Sequence, residues 1–240
     1  MRLQIKTGRL YLLVILVMIS GHVFAQKQKP KNVSWYDEKV LHFGFTLGFN
    51  TMDFRITPSN SNYLADSLLP KITSLNPGIN IQIVTDFRPA NYFDIRFLPG
   101  VSFGQRNVIY YKNKSMVNDQ QKLESSFLEF PLLVKYKAMR LNNVRPYLIA
   151  GLNYRYDLAG KKQYDEDKPI YIRLKRADLN YEIGTGFDFY LTYFKLSVEL
   201  KMSNGMRDIL VHEPAPGHPE FSDAIEKMKS QIWVISFHFE

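Results

Sequence analysis

The 240-residue sequence has no cysteine and only two tryptophans. Without cysteine there is no disulfide framework, no thiolate nucleophile or metal ligand, and no lipidated cysteine at an export-processing site. Beyond the first twenty-five residues no apolar run reaches the length of a membrane helix, which needs about 20 residues. A membrane role for the rest of the chain therefore falls to strands. The mean hydropathy is slightly negative. Strands that alternate lipid-facing and interior residues give such an average as readily as a soluble protein does.

The N-terminus reads as an export signal. Arg2, Lys6 and Arg9 make a basic start, Leu10 to Ile19 is almost wholly apolar, and Val23-Phe24-Ala25 suits peptidase cleavage. Residues 1–25 are thus the predicted signal peptide, and the mature chain is expected to begin at Gln26. An apolar stretch of about ten residues is too short for a transmembrane anchor. Export removes nucleic acid from the expected partners. The formal charge of +8, less three signal cations, leaves +5, which suits membrane headgroups and an ordinary solvated surface equally well.

Eight segments alternate with period two, the mark of strands with one apolar face. Their uncharged sets are Leu41, Phe43, Phe45, Leu47 and Phe49; Ile79, Ile81, Ile83, Thr85 and Phe87; Ile95, Phe97, Pro99, Val101 and Phe103; and Leu128, Phe130, Leu132, Val134 and Tyr136. The pattern continues with Leu148, Ala150, Leu152, Tyr154 and Tyr156; Leu179, Tyr181, Ile183, Phe187 and Phe189; Phe194, Leu196, Val198, Leu200 and Met202; and Trp233, Ile235, Phe237 and Phe239. The complementary positions hold Arg96, Arg106, Glu129, Lys135, Arg155, Glu182, Asp188, Lys195, Glu199, Lys201 and His238. Period two alone also fits a sandwich with an apolar interior. Connection lengths favour a membrane barrel: the segments 52–76, 107–124, 159–176 and 203–229 are long and polar, while those at 88–92, 139–145 and 190–193 are short. Strict alternation of long and short connections is the arrangement of outer-membrane barrels, with long loops outside and short turns in the periplasm.

The expected fold is therefore all-β, an eight-stranded antiparallel up-and-down transmembrane β-barrel over 41–240, preceded by a periplasmic lead at 26–40. Phe45, Ile81, Leu132, Leu152, Ile183, Val198 and Ile235 are expected to face lipid. Arg96, Glu129, Lys135, Arg155, Glu182, Asp188, Lys195, Glu199 and Lys201 are expected to form a charge network in the lumen. Expected pairs are Glu182 with Lys201, Asp188 with Lys195 and Glu129 with Arg155. Eight strands enclose a space just wide enough for side chains, so no open channel is expected. Gly44, Gly48, Gly78, Gly100, Gly104, Gly151, Gly184 and Gly186 all fall on the polar face, where small residues make room. Trp35, Tyr36, Tyr92, Tyr110, Tyr111, Tyr156, Tyr190 and Tyr193 suit interfacial girdles. A short helix is expected within Pro219 to Lys229.

Two constellations carry a chemical reading. His212-Glu213 and His218-Pro219-Glu220 offer metal-ligand types, but Pro214, Pro216 and Gly217 argue for an irregular loop and against a preorganised site. Ser236, His238 and Glu199 have the side chains of a hydrolytic triad, yet all three fall on the face assigned to the lumen, away from a lipid substrate. No enzyme, metal site, cofactor or small-molecule substrate is expected.

The phrase from Glu124 through Phe127-Leu-Glu-Phe-Pro-Leu-Leu-Val to Lys137 resembles the PorT family. So do Arg145-Pro-Tyr-Leu-Ile-Ala-Gly-Leu-Asn-Tyr-Arg-Tyr-Asp-Leu158 and Phe97-Leu-Pro-Gly-Val-Ser-Phe-Gly-Gln-Arg106. The strand Gln231 to Glu240 is similar to barrel-insertion signals, which usually end on Phe and not on a following glutamate. The resemblance implies an outer-membrane location and an accessory role in type IX protein secretion and gliding motility. It also implies partners among other secretion-system proteins, besides outer-membrane lipid. A small structural or adhesive barrel and a lipid-modifying enzyme are the other classes the residues leave open.

Overall fold

A computed structural model describes residues 30–59, 68–71, 76–112, 115–159, 172–212 and 225–240, with side chains except at 68–71 and 107–124. The predicted signal peptide and the start of the lead lie outside the described residues. The strands are β1 (Leu41–Pro58), β2 (Leu68–Lys71), β3 (Asn76–Ala90), β4 (Phe93–Phe97), β5 (Gly100–Lys112), β6 (Ser115–Lys137), β7 (Val144–Asp157), β8 (Ala177–Tyr190), β9 (Lys195–Gly205) and β10 (Ile225–Phe239). All pairings are antiparallel: β1 pairs with β3, β3 with β4 and β5, these with β6, and β6 to β10 in sequence, and β10 pairs back onto β1, with Phe45 opposite Phe239 and Arg55 opposite Lys229. The ring has eight staves, because β4 and β5 lie end to end in one position between β3 and β6. Closure leaves no unpaired edge in the ring. β2 stands outside it, paired to β5 near Lys112.

The break between β4 and β5 falls at Leu98-Pro99, where proline offers no N–H to the ladder. Both neighbouring strands bridge the gap: Ile83 N–H donates to the Pro99 carbonyl (2.9 Å), and Leu98 N–H donates to that of Pro131 (3.1 Å). The staves therefore stay in register across the break.

Alternation sorts the side chains cleanly. Phe45, Ile81, Leu132, Leu152, Ile183 and Ile235 are exposed on the outer surface and Val198 is half-exposed there, whereas their chain neighbours, glycines apart, point inward and are buried. Along β1 the apolar outer face runs the ten steps from Leu41 to Thr51. At ~3.4 Å per step and a tilt of ~40°, that is about 25 Å, the height of the apolar band of a membrane barrel.

Strands continue well past this band. Residues 52–58 of the expected first loop are strand, most of the expected 107–124 loop is the β5–β6 hairpin, and 225–229 is strand where a helix was expected. Above the band the outer face meets water while Phe54, Ile225 and Met228 are buried on the inner one, so the apolar outer series stops while backbone pairing goes on. At the other end the connections are short, as 91–92, 138–143 and 191–194.

Candidate functional site

The interior is the candidate site, and it is filled. At the turn end Arg96 on β4 is fully buried and reaches three carboxylates. Its Nε and Nη2 donate to Asp86 at 2.7 and 2.6 Å, Nη2 also to Glu240 at 2.9 Å, and Nη1 lies 3.5 Å from Glu199. Lys195 donates to Glu240 at 2.7 Å and to the Tyr36 hydroxyl at 2.6 Å. Lys135 donates to Asp188 at 2.8 Å, and Ser197 donates to the same oxygen at 2.6 Å. Farther along, Glu129 lies 2.9 Å from Arg155, and Glu182 lies 3.4 Å from Arg155 and 3.0 Å from Lys201. Gln82 donates to Glu129 and Asn153 to Glu182. A buried charge needs a counter-charge, and these groups are ion-paired with one another, Gln82, Asn153 and Ser197 adding hydrogen bonds to the carboxylates.

All nine residues assigned to the lumen network point inward and are buried. Two of the expected pairs, Glu129 with Arg155 and Glu182 with Lys201, are within ion-pair distance. The third is corrected. Asp188 sits opposite Ser197, and Lys195 sits opposite Tyr190, because pairing of β8 with β9 continues to the very ends of both strands. Asp188 therefore takes Lys135 from β6, and Lys195 turns to Glu240.

Sequence reasoning missed the floor of the barrel. Residues 32–40 fold under the turn end through a 3-10 helix, Ser34–Asp37. Tyr36, assigned to a girdle, is instead buried at 3% exposure, stacked 3.8 Å from His42, with its hydroxyl donating to Glu240. Burial, reinforced by the Glu240 carboxylate, holds the Tyr36 phenol well above the usual tyrosine range. It thus keeps the proton it donates while accepting from Lys195. Asp37 clamps the segment to Arg140 (2.8 Å) and Arg145 (3.3 Å), and Asn32 N–H donates to Asn143 (2.9 Å). Tyr190 is likewise buried, beside Tyr36, whereas Trp35, Tyr92 and Tyr193 are exposed at the turn end as girdle residues should be. The side chains of Tyr110 and Tyr111 lie outside the described residues. Parity along β3 and β10 was a sufficient signal for Asp86 and Glu240, since both continue the inward series.

Midway, Val84, Leu98, Leu133, Tyr147 and Ile149 form an apolar cluster inside the barrel, which the expectation of a polar lumen did not include. Gly186 makes room for it: a Cβ there would lie 2.5 Å from Cζ of Tyr147. At the loop end Phe54, Ile172, Ile209, Leu210, Ile225 and Met228 pack into a second apolar cluster. Backbone bonds from Lys175 to Ile209 (2.8 Å), Val211 to Arg173 (3.0 Å) and Ile209 to Met228 (2.9 Å) hold it together. Just inside it, Arg106 lies between the rings of Phe54 and Phe127, 4.5 and 4.8 Å from their centroids, and donates to Ser125 at 2.9 Å.

The triad residues are not assembled. His238 contacts Thr46 (2.6 Å) and Glu199 (3.3 Å), while the Ser236 hydroxyl has no hydrogen-bond partner. Of the His/Glu cluster, His212 is exposed and bonded to Asp208 at 2.8 Å. His218 and both glutamates lie outside the described residues.

A closed, antiparallel, lipid-faced ring with a packed interior defines a transmembrane β-barrel. Residues 24–211 match the outer membrane protein beta-barrel domain, and the chain belongs to that family, which places it in the outer membrane. No curated protein matches the chain. Among solved structures, OprG of Pseudomonas aeruginosa is similar at 16% identity, over 82% of this chain and 94% of that one, with a TM-score of 0.49. AlkL, determined in DMPC lipid bilayers, is similar at 11% identity over 90% and 95%, with a TM-score of 0.41. The N-terminal barrel of Pseudomonas aeruginosa OprF is similar at 11% identity over 81% and 97%, with a TM-score of 0.34.

Proposed function

We propose that the protein is a non-enzymatic, non-conducting scaffold of the outer membrane that serves type IX protein secretion through its exposed ends. The observation that carries the non-conducting part is the linked set of buried charges from Arg96 to Lys201, closed beneath by Tyr36 and Glu240. Opening a water path would separate those pairs in a low-dielectric space, at several kcal/mol for each uncompensated charge. What remains for interaction is the lipid-facing wall, the projecting β5–β6 hairpin and the folded N-terminal segment. The link to secretion comes from the PorT-like phrases of β5, β6 and β7. Partners are then other proteins of that apparatus, held by surfaces and not by a lumen.

The test pairs planar-bilayer recording with a secretion assay. Purified barrel should give no steady conductance, and a deletion strain should fail to export proteins carrying the C-terminal sorting domain. Trimming 107–122 should leave a folded barrel that does not restore export, while Glu129→Gln, if folded, should restore it. Steady conductance would overturn the closed scaffold, and normal export in the deletion strain would leave a structural or adhesive barrel in its place.

A further inference from the structure

Outside the barrel, just above the apolar band, two cations face each other. Arg55 on β1 is directly opposite Lys229 on β10, both on the outer face. Like charges directly opposite on antiparallel strands repel and are normally separated or matched by an acid. Here no carboxylate of the described residues lies within ion-pair distance of either. On that face Asp53 is two residues below Arg55, and its Oδ1 accepts the Phe54 N–H at 2.7 Å. The pair borders a cleft of 270 Å³ lined also by Tyr181, Asn204, Met206 and Ser230. The cleft therefore combines two positive charges, a phenol and an amide, with one apolar side chain at its edge.

Height on the stave selects the occupant. The last apolar pairing on this wall is Thr51 with Trp233, and Trp233 neighbours Met202. Arg55 is four residues farther from the membrane centre, about 10 Å along the normal at the tilt of such barrels. That is the headgroup layer, and a long Arg or Lys side chain can reach down along the wall while keeping its charge there. Arg forks match phosphate geometry, and a paired Lys adds a point charge.

We propose that Arg55 and Lys229 bind the phosphorylated headgroup of a lipid in the outer leaflet, with Tyr181 and Asn204 as polar neighbours and its acyl chains lying on the apolar wall below. The lipid phosphate supplies an anion that no described residue offers the opposed cations, and it tethers a lipid to the seam where the ring closes.

The test is titration of the detergent-purified barrel with bisphosphorylated lipid A, read as a thermal shift and by native mass spectrometry. Saturable binding is expected, at least tenfold weaker for dephosphorylated lipid A and for R55Q/K229Q. R55K/K229R, which keeps both charges, should bind as the unaltered protein does. A Lys39→Gln control at the opposite end should change nothing. Equal binding of phosphorylated and dephosphorylated lipid would overturn the proposal without recourse to any variant. So would inorganic phosphate binding as tightly as lipid A, which would mark a site for free anions. Polyglutamate displacing lipid A from the unaltered protein would assign the cleft to an acidic protein segment instead.

Discussion

At the turn end of the lumen Arg96 reaches Asp86, Glu199 and Glu240, and a folded segment closes the space beneath. At the loop end six apolar side chains meet, with one guanidinium held between two phenyl rings. Both arrangements fill space, but they respond to damage differently. An ionic cluster loses a partner and keeps a stranded charge, whereas an apolar cluster loses contacts and relaxes toward water. The turn end should thus be brittle and the loop end compliant.

The largest test of this contrast is Arg96→Met. It leaves Asp86 without its cation and takes one of the contacts of Glu199 and Glu240, and should lower the unfolding free energy in lipid by about 3 to 5 kcal/mol; a loss comparable to a surface substitution would erase the distinction. Next comes Leu210→Ala in the loop-end cluster, expected to cost about 2 to 4 kcal/mol locally. Its signature is faster proteolysis of the external segments while the heat-resistant barrel band on gels is unchanged. Smaller still is Asp37→Asn, which loosens the clamp on Arg140 and Arg145 from a partly exposed position. About 0.5 to 1 kcal/mol is expected, seen as faster hydrogen exchange across 32–40 with no change at the loop end.

The smallest effect is a pH response at Asp208. Burial pushes its carboxyl up, but bonds from the Met228 and Leu210 N–H groups and from His212 outweigh this and hold it below its ordinary 3.8. A lowered folded value means that this stabilisation is complete above the unfolded value and disappears as pH falls through the folded one. Asp208→Asn should flatten that acid-side loss of loop-end protection by a few tenths of a kcal/mol. An identical pH profile in the variant would show that Asp208 does not hold the cluster.

The faces of the staves were legible because side-chain period and lipid chemistry coincide between Leu41 and Thr51 and at the matching levels of the other strands. Outside that band the coincidence ends, which is why 52–58 and most of 107–124 read as loops in the sequence. Pairing inside the lumen was legible only between adjacent strands. Lys135 on β6 meets Asp188 on β8 across an intervening stave, and no one-dimensional register rule contains such a contact. Tyr36 was misassigned for a related reason: an aromatic near a strand end suits the interface equally well until Glu240 and Lys195 are seen waiting inside. The triad and the metal cluster were set aside on face and on proline content, and His238 and His212 each have ordinary acidic neighbours.

The position of Glu240 also orders events in time. It follows β10, the strand that seals the ring against β1, so it reaches Arg96 and Lys195 only when the last seam zips. Until then Lys195 lacks its nearest counter-charge, Arg96 has Asp86 but not Glu240, and the Tyr36 hydroxyl lacks its acceptor. Zipping the seam and neutralising the floor are thus one step, which makes partly closed intermediates costly and gives assembly a sharp, late finish.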